Sequence, residues 1–187
     1  MHSVPDRKEQ ILDAAEDLLS KFGAHKTTVI DVGKALGISH AAVYKYFPTK
    51  SALQEAVAER WLHRISMPLA EIAASDADPE SKLRSWLHAL VKLKRKKVLN
   101  DPQLFAAYNE LTEAAREAVS RHVGELRSQL TTILRGFPVE NPEQSAQAVL
   151  EATAFYHHPH FVMKNAGEPQ TKKLNALLDI LIAGLRD

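Results

Sequence analysis

An all-α fold is predicted by three observations on this 187-residue sequence. Every long apolar pattern recurs with the helical period, and none alternates with period two over a strand's length. Asp78-Pro79, Asp101-Pro102 and Asn141-Pro142 each set a capping side chain before a proline suited to the first helical position. Gly23 and Gly37 follow apolar-periodic segments, where a chain commonly leaves a helix. The expected organisation is a small three-helix module over 1–50 and a larger helical module over 51–187.

The elements follow in order. Ile11, Ala15, Leu18 and Phe22 mark one face of a first helix, which Gly23 ends. Thr28, with Asp31 three residues on, is close to a capping box and starts a short second helix that stops at Gly37. Ser39 caps a third, running to about Phe47, and Pro48-Thr49-Lys50 opens a fourth. Leu53, Val57, Trp61 and Ile65 stripe that helix until Met67-Pro68 breaks or kinks it. Leu83, Trp86, Leu87, Leu90 and Val91 mark the next, and Leu104, Phe105, Tyr108 and Leu111 the one after. Beyond a break near Thr112–Ala115, Val119, Val123, Leu126, Leu130, Ile133 and Phe137 continue the pattern. A segment from Pro142 to about Ala166 carries Val149, Leu150, Thr153 and Tyr156; after Gly167-Glu168-Pro169 a last helix shows Leu174, Leu177, Leu178, Leu181, Ile182 and Leu185.

Composition narrows the functions. With 45% apolar and 25% charged residues the chain has the make-up of a folded domain. The absence of cysteine excludes disulfides, a thiol nucleophile and cysteine-based metal sites. There is no apolar run long enough to span a membrane, and Met1–Lys8 turns polar at once, so no membrane partner is expected and the compartment expected is the cytoplasm. No nucleophile elbow, glycine-rich phosphate loop or paired-carboxylate arrangement points to an enzyme, and no cofactor is expected. The net charge of +1 announces no nucleic-acid field across the whole molecule, so any such binding must be local.

Thr27–Leu53 is the informative stretch. Two short helices joined by Leu36-Gly37-Ile38-Ser39 suit a helix-turn-helix, whose second helix enters the major groove. Val43 and Phe47, four apart, can anchor its buried face, leaving His40, Ala41, Ala42, Tyr44, Lys45 and Tyr46 for the groove and its phosphate walls. Lys50 adds a charge at a helix N-terminus, where backbone N–H groups already favour an anion.

These residues, with Ile11–Ala15, Leu18, Phe22, Gly23, Thr27-Thr28-Val29 and Val43–Leu53, resemble the TetR family of bacterial transcriptional regulators across about the first 55 residues. The resemblance implies Thr28, Ser39, Tyr44, Tyr46 and Lys50 as DNA-backbone contacts and His40, Ala41 and Ala42 as base readers. It implies an N-terminal helix-turn-helix DNA-binding domain followed by an effector-binding and dimerisation domain. The partners are then a double-stranded DNA operator, an unidentified small-molecule effector and a second copy of the chain. Two departures stand out. Ala41 and Ala42 replace a glycine or proline and a hydroxyl residue, and their methyl groups can read only apolar features such as the thymine methyl. Gly33 stands inside a helix where alanine is usual, suggesting close helix approach.

For the second domain, Trp86, Phe105, Tyr108, Phe155 and Tyr156 are candidate pocket linings, each with plain core as the competing reading, and His157 is a further candidate, read either as a pocket or as a surface histidine. Leu178, Leu181, Ile182 and Leu185 are the candidate dimer interface, against which stands burial in their own chain's core. His157, His158 and His160 are spaced suggestively for a metal, but Pro159 disturbs the helix and no metal is expected. Lys92–Lys97 holds five positive charges, read either as a solvated helix end or as added attraction for DNA phosphates. The function expected is an effector-released repressor on a palindromic operator; the alternative is an activator, or a regulator controlled by a protein partner.

Overall fold

The computed structural model describes residues 6–100, 102–165 and 167–186. Met1–Pro5, the predicted cap Asp101 and Ala166 lie outside them. Among the described residues the chain is helical, without strands: α1 (Arg7–Lys26), α2 (Val29–Ala35), α3 (His40–Tyr44), α4 (Lys50–Ala74), α5 (Pro79–Asn100), α6 (Pro102–Ala114), α7 (Arg116–Leu134), α8 (Pro142–Ala152), α9 (Ala154–His157), α10 (Pro159–Asn165) and α11 (Thr171–Arg186). Compactness divides the chain into Met1–Leu62 with Asp101–Val119, and His63–Asn100 with Ser120–Asp187. This differs from the expected division at residue 50, because α6 packs on α1 and so joins the N-terminal unit.

In the first unit α1 buries Ile11, Leu12, Ala15 and Leu19 against Val29 and Val32 of α2, Val43 and Phe47, and Leu53 and Val57 of α4. Trp61 of α4 lies parallel to Tyr108 at 4.6 Å between ring centroids and edge-on to Phe105 at 5.7 Å. Those two rings are thus core of this unit. Gly23 interrupts α1 with φ 77°, as expected of the residue that ends a helix, but Phe22 before it is 57% exposed, not buried. The chain is already turning there, and the Thr27 hydroxyl donates to the Gly23 carbonyl at 2.8 Å, closing the corner.

In the second unit the capping pairs behave as their chemistry dictates. Asp78 Oδ1 accepts from the Ser81 N–H at 2.9 Å, and Asn141 Oδ1 from the Gln144 N–H at 3.0 Å. Of the two outcomes expected at Met67-Pro68, the break does not occur: α4 runs on through Pro68. A helix-interior proline costs about 3 kcal/mol, but Pro68 faces outward while Ile65, Leu69 and Ala73 keep a continuous buried stripe that offsets it. The segment after Pro142 is three helices, because Thr153 leaves helical geometry and His158, forced extended by Pro159, breaks the chain again. Helix α11 is tied to α5 by Arg84 on Asp179 at 2.7 Å, by His88 with Asn175 at 2.7 Å, and by Arg186 on Glu80.

Candidate functional site

The head is built from two caps and a turn. At the start of α2 the Asp31 N–H donates to Thr28 Oγ1 at 3.2 Å and the Thr28 N–H to Asp31 Oδ2 at 3.2 Å, completing the capping box. The Thr28 hydroxyl proton goes to the same carboxylate at 2.6 Å, and this hydroxyl bond is the first cause holding Asp31 below the usual carboxylate range. A phosphate contact from Thr28 would have to compete with that bond. Gly37, at φ 66°, turns the chain in a conformation few side chains adopt. Ser39 Oγ then accepts from the Ala42 N–H at 3.2 Å and starts α3.

Gly33 explains how tightly these pieces sit. A methyl group there would stand 3.0 Å from the Ile38 carbonyl oxygen and 3.4 Å from the His40 nitrogen, both backbone atoms. The Ile38 N–H also donates to the Gly33 carbonyl at 2.9 Å. The close approach suggested by this glycine is thus between α2 and the turn that aims α3.

Val43 and Phe47 are buried as anchors, with the Lys8 ammonium 5.9 Å from the Phe47 ring centroid. Above them Tyr44 and Tyr46 are 40% and 44% exposed, and His40, Ala41, Lys45 and Lys50 are exposed, with Ala42 half-buried. The His40 and Tyr44 rings meet edge-on at 6.4 Å. Thr49, in the segment expected to open the fourth helix, caps α4 by accepting from the Ala52 N–H at 2.9 Å. Lys50 therefore stands beside the remaining N–H groups of that helix end. Three carboxylates of α1 are paired with one guanidinium: Arg60 of α4 takes Glu9 at 3.0 Å, Asp13 at 2.8 Å and Glu16 at 3.0 Å. The result is an exposed edge of phenols, ammonium groups and small side chains on a rigid buried base, suited to phosphate oxygens and base edges.

The six candidate pocket residues divide between the two units. Phe105 and Tyr108 belong to the first unit's core with Trp61. Trp86 and His157 are buried in the second unit, while Phe155 is exposed and Tyr156 half-buried, their rings edge-on at 5.4 Å. Of the candidate interface, Leu178 and Ile182 are buried in their own chain, because they continue the α11 stripe that begins at Leu174. Leu181 and Leu185 are half-buried, and the open face of α11 carries Ala176, Ile180, Ala183 and Gly184. The three histidines point differently: His157 turns in toward Thr153 and the Leu150 carbonyl, both at 3.2 Å, while His158 and His160 are exposed. No metal-holding group of three acidic or imidazole side chains exists among the described residues.

The Lys92–Lys97 cluster is divided. Lys92, Arg95 and Lys96 line a surface groove with Pro169, Gln170 and Thr171 at the start of α11, whereas Lys94 is only 5% exposed and faces inward. Lys94 is therefore unavailable to DNA phosphates. It shares the interior with His122, whose Nδ1 lies 2.8 Å from Ser66 Oγ, and a supporting chain leads there from Trp86. The Trp86 Nε1–H donates to Gln129 Oε1 at 3.0 Å, and the Gln129 amide donates to the Ser66 carbonyl at 3.2 Å. Burial lowers Lys94 from 10.5 to about 8 and His122 to about 3; His157 falls to about 4, again chiefly through burial, with Lys94 acting further on both histidines. Sequence reading missed Lys94, His122, Ser66 and Gln129. The signal was spacing: Lys94 follows Leu90 by four and Val91 by three, and His122 precedes Leu126 by four.

Comparison with known proteins agrees with both units. Residues 11–57 match the family described as bacterial regulatory proteins, tetR family, and residues 79–178 match the tetracyclin repressor-like C-terminal domain. The chain is 26% identical over 156 residues to the nucleoid occlusion factor SlmA of Vibrio campbellii, covering 76% of this chain and 78% of that protein. Its fold is similar to that of FadR from Bacillus subtilis in complex with stearoyl-CoA, with a TM-score of 0.66 at 17% identity over 95% of this chain and 99% of that one. It is also similar in fold to BioQ bound to its double-stranded DNA operator, with a TM-score of 0.59 at 20% identity over 97% and 98% of the two chains.

Proposed function

The chain belongs to the TetR family of bacterial DNA-binding regulators, and from that premise we propose that it is a homodimeric repressor, released from a palindromic operator by a small molecule. One observation carries the DNA half of this reading. Tyr44, Lys45, Tyr46 and Lys50, from the end of α3 to the start of α4, are all exposed, while Val43 and Phe47 among them are buried. Pairing supports the palindrome, since a two-fold protein reads a two-fold site. The exposed small side chains Ala176, Ala183 and Gly184 with Ile180, itself 70% exposed, support a close helix–helix approach through α11. Phe155 and Phe161, with ring centroids 5.6 Å apart, and Met163 add exposed apolar surface in the same unit. Effector control is supported by the buried polar centre around Lys94, which is costly unless used.

Selection of bound DNA from a random pool tests this. Enrichment of a palindrome, with light scattering showing a dimer at micromolar concentration, is the expected result; no enriched palindrome, or a monomer, overturns it. Likeness to the nucleoid occlusion factor SlmA favours a second reading, control by a protein partner. That reading gains if the selected operator complex withstands a metabolite panel yet is altered by a co-purifying protein.

A further inference from the structure

Helix α5 carries a lysine where its own pattern calls for a leucine. Leu83, Trp86, Leu87, Leu90 and Val91 form its buried face, and Lys94 falls next on that face. Its stem packs easily, and no more than 5% of the residue, ammonium included, stays accessible. The titratable groups that face it are His122 on α7, His157 on α9 and His158 in the turn that follows; all are bases. Among the described residues no carboxylate balances Lys94. A buried charge without a partner is among the costliest features a fold can hold, and an apolar side chain in its place is generally tolerated or stabilising.

A second unsatisfied group lies in the same interior. His122 Nδ1 is held by Ser66, and its Nε2 is buried without a partner. The ring is nonetheless firmly placed, since the chain from Trp86 through Gln129 fixes the Ser66 backbone. His157 is likewise set by Thr153 and the Leu150 carbonyl. His122 thus presents an oriented ring with an unpartnered, buried Nε2 in the same interior as the Lys94 stem, the arrangement by which supporting hydrogen bonds hold a group ready for a ligand.

We infer that Lys94, His122 and His157 receive the acid group of the effector, and that the effector is a small molecule with a single carboxylate on an apolar body. This rests on the reading that the second unit is effector-controlled. One ammonium with two imidazoles matches one negative charge; a phosphate dianion would demand a second fixed cation, and none faces the site among the described residues. The apolar body follows from the neighbours, since Leu87 and Leu90 of α5 and Leu126 and Leu130 of α7 are buried on the helices that carry Lys94 and His122, and Val149 and Leu150 are buried at the end of α8, just before His157. A bound carboxylate supplies the missing countercharge to Lys94, so the ligand and the proton on Lys94 favour one another.

The experiment titrates the full chain with sodium acetate, benzoate and octanoate, each paired with its neutral primary amide. Thermal shift and the imidazole nitrogen resonances of His122 and His157 are the readouts. At least one acid is expected to raise Tm and move both resonances while its amide does neither. For the wild type, affinity should be level near pH 7 and fall up to tenfold per pH unit above about 8, where Lys94 loses its proton. Lys94→Met should weaken acid binding at least tenfold and leave operator binding unchanged. Equal binding of acid and amide, stronger response to inorganic phosphate, a pH-independent affinity in the wild type, or no response to any acid at 50 mM would each overturn the inference. Failure of the DNA reading looks different: no palindrome is enriched, yet acids still bind. Failure of the acid site alone leaves a normal operator complex that these acids never reach.

Discussion

Replacing Lys94 with methionine should make the ligand-free protein more stable, and the size of the gain can be worked out. Burial lowers the ammonium from 10.5 to about 8 in the folded chain. Between those values the unfolded chain holds a proton that the folded chain has lost, so stability rises with pH across that window. Below about 8 the folded chain carries the full penalty of a charged, unpaired lysine. At about 1.4 kcal/mol per tenfold, the difference amounts to about 3 kcal/mol, reduced in practice by local relaxation and water entry. Methionine keeps the length and removes the charge, so Lys94→Met should gain ~1–3 kcal/mol at pH 7. Urea denaturation of both proteins at pH 7, 9 and 10 measures this. The gap should shrink steadily from pH 8 upward as the wild type sheds its penalty. A variant less stable than the wild type at pH 7, or a gap that does not change with pH, would refute the account of Lys94 as an uncompensated buried charge.

Other outcomes follow from the same geometry. His122 at about 3 and His157 at about 4 are both depressed, so their stability contribution is complete above pH 6.5 and is lost as pH falls toward those values. Circular-dichroism melts from pH 7 to pH 4 should show the decline, and His122→Gln should flatten it; an unchanged acid slope counts against burial as the cause. Gly33→Ala gains up to ~1 kcal/mol of helix propensity but pushes a methyl to 3.0 Å from the Ile38 carbonyl. Stability should change little while operator affinity falls about tenfold by displacement of α3, and full affinity would show that the close approach is dispensable. Tyr44→Phe and Lys50→Ala should weaken binding alike across operator variants, whereas His40→Ala should change preference at particular bases. Binding assays against a panel of base substitutions separate these, and the reverse pattern would mean that the contact classes are interchanged.

Much of the head was legible because its determinants are local. The capping box at Thr28 and Asp31, the turn at Gly37, the Ser39 cap and the Val43–Phe47 anchor each act within four residues and appear as expected. Failures came where packing overrides local preference. Pro68 stays inside α4 because the helix it interrupts is buried on the opposite face. Val123 belongs by spacing to the apolar stripe of α7 but is exposed, since the buried stripe runs through Ala118, His122 and Leu126. Apolar residues attract a stripe assignment and polar ones repel it, which is why the inward register of α7 was missed.

The sequence by itself determined most of the helices, the breaks between most of them and the turn and caps that shape the head, because propensity, capping and turn geometry are written in neighbouring side chains. Only the tertiary structure decided what Lys94 and His122 do. Their helical spacing already placed them on apolar faces, but spacing alone does not say whether other helices close over those faces. Burial of a charge has its cost only once water is excluded from every side, and that exclusion is made by α5, α7 and the segment after α8 together. In the Lys92–Lys97 run that looked uniform, one lysine was thereby set apart from its four basic neighbours, turned inward and left without a countercharge.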